Sequence, residues 1–422
     1  MTQVLQRIAL QLLPPNYWRN QFSGLKLQPK LDKTSPHQLL VDVSVIVLSD
    51  ARTGIQRVVR NIYKQLLLNP PNGYQVLPIA ASKSQGYQYI QSDFLENYTV
   101  LTEAKSLAST VQVKEGDIFF GLDLAARIVH SRIADLLAWK RQGVRLVFMV
   151  YDLLPVLHPD WFNPRNTYYL ARWLRTIAVL ADDVVCISRT VQMDLNTWTT
   201  QKWGVSCVGK TSMASHIIKL GADAVEPSKN ETQGIEESLN KLSLGSGKVV
   251  LMVGTLEPRK GHEDVLNAFE ILWAKGNSTQ LVIAGKKGWK IDGFIDRIQN
   301  HPELNRRMYW VDSPSEIGLL GLYKRCNGLI MASKGEGFGL PLIEAALHHK
   351  PVLARNLPVF REIGLPGISF FVNDNAEALA LSIEKWLSSP KGISYKKYVI
   401  PTWERAASQL LTELGLSSKM IK

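Results

Sequence analysis

Apolar residues along this chain follow two alternating rhythms. Short apolar runs at 39–48 ("LLVDVSVIVL"), 117–124 ("DIFFGLDL"), 144–155 ("VRLVFMVYDLLP") and 182–188 ("DDVVCIS") predict buried strands. Between the first two, "TGIQRVVRNIYKQLL" (53–67) places Ile55, Val58, Val59, Ile62 and Leu66 on one face of a predicted helix. A polar stretch at 227–247, rich in Ser, Gly, Asn and Lys, interrupts the series and reads as a linker. A second series follows, with strand-like runs at 248–255 ("KVVLMVGT"), 281–289 ("LVIAGKKGW"), 308–313 ("MYWVDS"), 328–339 ("GLIMASKGEGFG") and 350–356 ("KPVLARN"). A last helical pattern near 402–415 carries Trp403, Ala407, Leu410 and Leu414 on one stripe. Strands alternating with helices predict parallel sheets built from βαβ units, so the expected fold class is α/β in two domains. The boundaries read as an N-terminal segment 1–36, a first domain 37–226, a linker 227–247 and a second domain 248–399.

The first residues have a pattern of their own. "MTQVLQRIALQLL" (1–13) aligns Met1, Val4, Leu5, Ile8 and Leu12 on one helical face, and Pro14-Pro15 ends it. Two readings stay open. The plainer is a short helix docked on the body of the protein. The other is an interfacial anchor on anionic membrane, with Tyr17, Trp18 and Arg19 at headgroup level.

Composition narrows the class. A length of 422 residues exceeds what one core usually holds. With 45% hydrophobic and 20% charged residues, the chain has the make-up of a soluble globular enzyme. The three cysteines, Cys186, Cys207 and Cys326, are widely spaced without C-x-x-C, which indicates neither a disulfide framework nor zinc and fits a reducing compartment. A net charge of +12 suits anionic partners such as nucleotide phosphates, a lipid diphosphate or a membrane surface. Nucleic acid is not expected, since only "YKKY" (395–398) resembles a basic, aromatic-interleaved stripe. No signal peptide or spanning run is evident, so a cytoplasmic location is expected, at most on the inner face of the membrane.

Open α/β sheets bind ligands beyond the carboxyl ends of their strands, and three strand-to-helix junctions are rich in glycine and charge. In "VGTLEPRKG" (253–261), Gly254 permits a tight turn, and Arg259 and Lys260 precede a helix start, a combination that favours phosphate. In "KGEGFGLPLIE" (334–344), Gly335, Gly337 and Gly339 permit close approach, and Pro341 suits a first helical turn. That places Glu336 in a loop and Glu344 in a helix. Eight helical residues rise roughly 12 Å, so the two are no catalytic dyad; the spacing allows them to bracket an extended ligand as hydroxyl acceptors, and the plainer reading of Glu344 is a favourable charge near a helix N-terminus. In "DARTGIQRVVR" (50–60), Thr53-Gly54 offers close-approach backbone, and Arg60 reads as part of a solvated face. No D-x-D pair, H-E-x-x-H, G-x-S-x-G or P-loop occurs, so no metal site is expected. His348 and His349 read as structural or surface residues.

These residues, in this order, resemble glycosyltransferase family 4, the retaining enzymes of the GT-B fold. The resemblance is strongest at 248–365, through "MVGTLEPRKG", "LVIAGKKGW" and "LYKRCNGLIMASKGEGFGLPLIEAALHHKPVLARNLPVFREIG", with Glu336 and Glu344 as the E-x7-E motif. It is looser through "DARTGIQRV", "VYDLLPVLHPDWF", "VVCISRT" and "IIKLGAD". The resemblance implies two Rossmann-like domains facing each other across a donor-binding cleft, the first on the acceptor side and the second holding the nucleotide sugar. It implies a C-terminal helix at 400–418 packing back on the first domain. Arg259 and Lys260 would hold the donor diphosphate, Glu336 the hydroxyls of the transferred sugar and Glu344 the ribose. Gly337, Phe338, Gly339 and Leu340 would lie along sugar and diphosphate, with Gly254 beneath and Gly54 facing them. Two departures stand out: the family's His-Asp is Tyr151-Asp152, which leaves Asp152 as the acceptor-side candidate, and the usual "GxPV" is "HKPV".

The implied function is metal-independent transfer of a hexose from a GDP- or UDP-linked donor to a glycan or lipid-linked acceptor in polysaccharide biosynthesis. "TGIQRV" and "GKKGW" resemble mannosyl-transferring members, pointing to a mannose-like sugar. The alternative is a non-catalytic sugar-nucleotide-binding or assembly protein on the same fold, against which the intact Arg259, Lys260, Glu336 and Glu344 argue.

Overall fold

The computed structural model describes residues 13–22, 35–50, 53–91, 94–95, 109–209, 213–222, 242, 244–372, 375–388 and 399–416. The helix expected from residue 1, most of the 227–247 linker and "YKKY" lie outside these residues. The chain divides into two compact units. One comprises Met1–Leu157, Pro164–Leu220 and Trp403–Lys422, the other His158–Asn163 and Gly221–Thr402. The division thus cuts the range 37–226 at His158–Asn163, which groups with the second unit.

In the first unit, β1 (His37–Asp42), β2 (Tyr74–Ala80), β3 (Gln88–Tyr89), β4 (Ile118–Gly121), β5 (Arg145–Val150), β6 (Asp183–Cys186) and β7 (Ala214–Ile217) form one sheet. Its order is β3-β2-β1-β4-β5-β6-β7, parallel except for β3. Leu39 of β1 stands opposite Val76 of β2 and Ile118 of β4. The inner strands are buried on both faces, as helix-covered parallel sheets are. Helix Gly54–Leu68 buries Val58, Val59, Ile62, Tyr63 and Leu66, and Thr53 and Gln56 close its start with a capping box. The final helix, Trp403–Glu413, packs against it and buries Trp403, Ala407 and Leu410.

The second unit is all parallel. Strands β8 (Val249–Val253), β9 (Gln280–Ala284), β10 (Met308–Val311), β11 (Gly328–Met331), β12 (Val352–Arg355) and β13 (Ile368–Phe371) run in the order β10-β9-β8-β11-β12-β13. This is the doubly wound order, and its switch point lies between β8 and β11. Its core joins Val250, Leu281, Ile283 and Ile330 of the sheet to Phe269 and Leu272 of helix His262–Ala274 and Ile383 of helix Ala376–Ser388. Each such fully buried side chain contributes about 1.5–3 kcal/mol. Gly328 has to be small, because a Cβ there would lie 2.5 Å from the Trp386 ring.

Two local expectations need correction. The apolar run 39–48 is not one strand: β1 stops at Asp42, and Ser44–Leu48 is helical. The cause is carboxylate capping, since Asp42 Oδ1 accepts from the Ser44 amide and Asp123 Oδ2 from the amides of Val45 and Ile46. Arg60 is no solvated charge but pairs with Asp50. Of the two readings of the N-terminal segment, the interfacial one puts Arg19 at headgroup level; Arg19 is instead buried and donates to the carbonyls of Ala178 and Ala181 at the end of helix Pro164–Leu180, in keeping with the docked reading. A cation there satisfies the orphan carbonyls of a helix C-terminus and docks helix Pro15–Phe22. Among the described residues, no helix is long and apolar enough to cross a membrane.

Candidate active site

The switch point of the second sheet gathers charge from two loops. After β8 the chain turns at Gly254, with φ at +147°, and enters a short 3-10 turn, Pro258–Lys260. Gly261 then takes a left-handed conformation and starts helix His262–Ala274. After β11 the loop Ala332–Gly339 comes against it. The Lys334 amide donates to the Arg259 carbonyl at 2.7 Å, and a Cβ on Gly261 would fall 2.4 Å from the Ala332 carbonyl oxygen. Glycine is obligatory there on both counts, φ and space.

This contact brings Glu336 onto both cations. Arg259 Nη1 donates to Glu336 Oε2 at 2.8 Å and to the Gly335 carbonyl at 2.9 Å, while Lys260 Nζ reaches Glu336 Oε1 at 2.5 Å. Ser333 adds its hydroxyl to the same oxygen at 2.7 Å. On the other side Arg259 Nη2 meets Glu257 Oε1 at 2.8 Å. Burial alone would raise the Glu336 pKa, but the Lys260 and Arg259 charges override it and hold the carboxyl at about 2. The side chains are nearly closed off from solvent, 14% exposed for each cation and 9% for Glu336. Two cations and two carboxylates sum to zero, so without a ligand the cluster is electrically balanced. His262, beside Lys260, is buried, and among the described residues neither ring nitrogen has a hydrogen-bond partner. Burial first, then Lys260, lowers its pKa to about 3, so it adds no charge. Arg355, the last residue of β12, braces the loop by donating to the Ala332 carbonyl and to Asp264.

The rest of the glycine-rich stretch forms the next helix start. Gly339 adopts φ +119° before helix Leu340–Leu347, whose first turn holds Pro341. A Cβ on Gly339 would lie 2.9 Å from the Phe360 ring. Gly337 and Phe338 are buried in the loop. Glu344 stands one turn into the helix, and its Oε2 accepts from the Tyr323 hydroxyl at 2.7 Å.

The remaining candidates belong to the first unit. Gly54 opens helix Gly54–Leu68. Asp152 follows β5 and its Oδ1 accepts from the Leu154 amide at 3.1 Å, capping the turn Leu154–Leu157. Tyr151, in place of the family's histidine, is buried and donates to the Leu122 carbonyl at 2.6 Å. Its hydroxyl is thus engaged by backbone, and burial followed by the Asp123 charge raises its pKa well above normal.

Sequence reading missed Glu257, Ser333, His262 and Tyr323. The first three sit within the same two loops, but only the pairing of β8 with β11 brings "EPRKGH" against "SKGEG". Nothing in the spacing signals Tyr323.

Residues 235–399 match the family model described as glycosyl transferases group 1. Over 404 residues the chain is 32% identical to the serotype-specific mannosyltransferase WbdA of Escherichia coli, covering 92% of this chain and 48% of that protein. The chain therefore spans about half the length of these curated relatives. Among solved structures, Anabaena HepE in complex with UDP-glucose superposes with a TM-score of 0.57 at 15% identity, covering 89% of this chain and 95% of HepE. The N-terminal domain of Candida albicans trehalose-6-phosphate phosphatase gives 0.63 at 11% identity, covering 91% and 97%. Two doubly wound α/β units and these neighbours make the fold GT-B, and within it residues 235–399 are similar to the glycosyl transferases group 1 family.

Proposed function

We propose that the protein is a retaining glycosyltransferase that moves a hexose, mannose-like, from a nucleoside diphosphate sugar to a glycan or lipid-linked acceptor in polysaccharide biosynthesis. The observation that carries the reading is the Arg259–Lys260–Glu336 cluster at the switch point of the second sheet. Cleavage of the sugar–phosphate bond leaves oxocarbenium-like charge on the sugar and builds negative charge on the diphosphate. Arg259, Lys260 and the start of helix His262–Ala274 face that growing charge from a site nearly closed to water, where it counts most. These cations supply the charge that a metal would otherwise bring, so the transfer is read as metal-independent. Because Glu336 already balances them, an arriving diphosphate takes over their donors. Glu336 is then released to accept from sugar hydroxyls, while Glu344 takes the ribose. Likeness to WbdA supports mannose, and HepE's complex supports a diphosphate nucleotide.

Asp152 and Gly54 are assigned to the acceptor side and the donor edge on the family resemblance alone. A peripheral contact with anionic membrane and work at its cytoplasmic face belong to the same reading, supported by the charge of +12. Flotation with anionic vesicles that is absent with neutral ones tests that part.

The test of the activity is a panel of GDP- and UDP-sugars, read by thermal stabilisation and by slow donor hydrolysis. At least one donor is expected to raise the melting point and to be turned over, with turnover lost in Arg259→Ala. If no sugar nucleotide shifts the melting point, the transferase reading is wrong. Stabilisation without turnover on any acceptor would instead favour a non-catalytic sugar-nucleotide-binding protein.

A further inference from the structure

Glu344 does not stand alone in its helix. Its carboxylate is met by Tyr323, which comes from helix Glu316–Arg325, a separate element that precedes β11. The Tyr323 ring is only 2% exposed, so its position is set by packing rather than by solvent. One turn further along the same face of the glutamate's own helix, the His348 ring lies nearly parallel to the tyrosine, with centroids 5.4 Å apart at an interplanar angle of 22°. Burial, with Lys324 and Lys350, lowers the His348 pKa against the opposing pull of Glu344, so the imidazole stays neutral at neutral pH and does not compete as an ion for the carboxylate. The phenol is thus locked by a stacked ring, and its hydroxyl is directed at Glu344 Oε2.

We propose that Tyr323 is a positioning residue for nucleotide recognition: its hydroxyl holds the Glu344 carboxylate in the orientation that accepts the ribose hydroxyls of the donor. The inference rests on the reading of Glu344 as the ribose acceptor. A glutamate side chain has three rotatable bonds, and on a helix surface it samples several rotamers. A phenol donor to one carboxylate oxygen selects among them. The cost of ordering the carboxylate is then met in folding, before the nucleotide arrives.

The test uses the full chain and four probes: UDP, GDP and their 2′,3′-dideoxy counterparts, with affinity measured by titration calorimetry. The variants are Tyr323→Phe, which keeps the ring and its stacking, Glu344→Gln, and the double variant. Tyr323→Phe is expected to weaken the better of UDP and GDP about 5- to 10-fold. Its affinity for the dideoxy form should match wild type, and its melting point should stay close to wild type. Glu344→Gln is expected to erase the preference for ribose over dideoxyribose, and the double variant to bind no worse than Glu344→Gln alone. Equal weakening of ribose and dideoxy forms in Tyr323→Phe, or full additivity in the double variant, overturns the positioning role. If Glu344→Gln keeps the ribose preference, the ribose reading itself fails and the proposal falls with it. Failure of UDP and GDP alike to bind wild type removes the donor reading instead.

Discussion

The two sheets place carboxylates at the same topological position and surround them with opposite chemistry. In the first unit the switch point between β1 and β4 holds Asp42, at the end of β1, and Asp123, just past β4. Neutral donors surround them: the amide and hydroxyl of Ser44 and the Tyr87 hydroxyl for Asp42, and the amides of Val45 and Ile46 for Asp123. Burial dominates and pushes Asp42 up to about 7 and Asp123 to about 6. At the switch point of the second unit, Glu336 is met by two cations and held at about 2. Topology makes the crevice, and the loop residues decide whether its carboxylate is a proton carrier or a permanent anion. Of the two, the second carries paired cations on its carboxylate, which the proposed function assigns to a diphosphate.

The contrast can be broken most severely at the cations. Arg259→Ala and Lys260→Ala should each lower turnover about 100- to 1000-fold, the scale for losing a donor aimed at developing charge. The defect should lie in kcat more than in donor KM, because the lost interaction strengthens in the transition state. A change confined to KM would show that these residues bind the donor without stabilising the leaving group.

Next in size is Glu336→Gln. Removing one partner from a largely buried ionic cluster costs about 3 kcal/mol, read as a lower denaturation midpoint. The freed cations should bind UDP or GDP more tightly, by about 5- to 10-fold, even as turnover falls. Weaker diphosphate binding would refute the idea that Glu336 balances the site until the donor arrives. The sign with pH is fixed by the lowered pKa. Its contribution is present above about pH 4.5 and drains away as pH falls toward 2, so wild type and Glu336→Gln should converge in stability in acid.

A smaller loss is expected from Gly261→Ala, about 2 kcal/mol from a left-handed φ and the 2.4 Å clash with the Ala332 carbonyl oxygen. Because that contact seats the Glu336 loop, donor affinity should fall together with stability. Unchanged donor affinity in a destabilised variant would mean the two loops are not coupled.

Legibility in the sequence follows the same divide between units. Nearly all of the second unit's strands announce themselves as apolar runs, and Arg259, Lys260, Glu336 and Glu344 are visible because glycine punctuates both loops. The pairing of Glu336 with Arg259 and Lys260 is invisible locally, since it joins residues 77 and 76 positions apart through the β8–β11 pairing. The first unit is harder to read. Its apolar run 39–48 hides a switch from strand to helix, because the capping carboxylate of Asp123 comes from 78 and 77 positions away. Strand β2 gives no continuous apolar signal, because Pro78 and Gln75 break its run, and β3 is only two residues long.

The subtlest prediction returns to Asp42. Its folded pKa of about 7 lies far above the unfolded value near 3.8. Between those two values the folded protein keeps a proton that the unfolded chain has released, so stability falls as pH rises through that window. Asp123 acts in the same direction. Asp42→Asn cannot ionise and retains an oxygen for the Ser44 amide. It should therefore be less stable than wild type at pH 5, where the protonated acid is already well accommodated, and regain ground toward pH 8. The expected relative change across that range is about 2–3 kcal/mol, read from urea unfolding at each pH. Parallel curves for variant and wild type would mean that Asp42 titrates alike in the folded and unfolded chain. The two switch points would then not differ in the way their surroundings require.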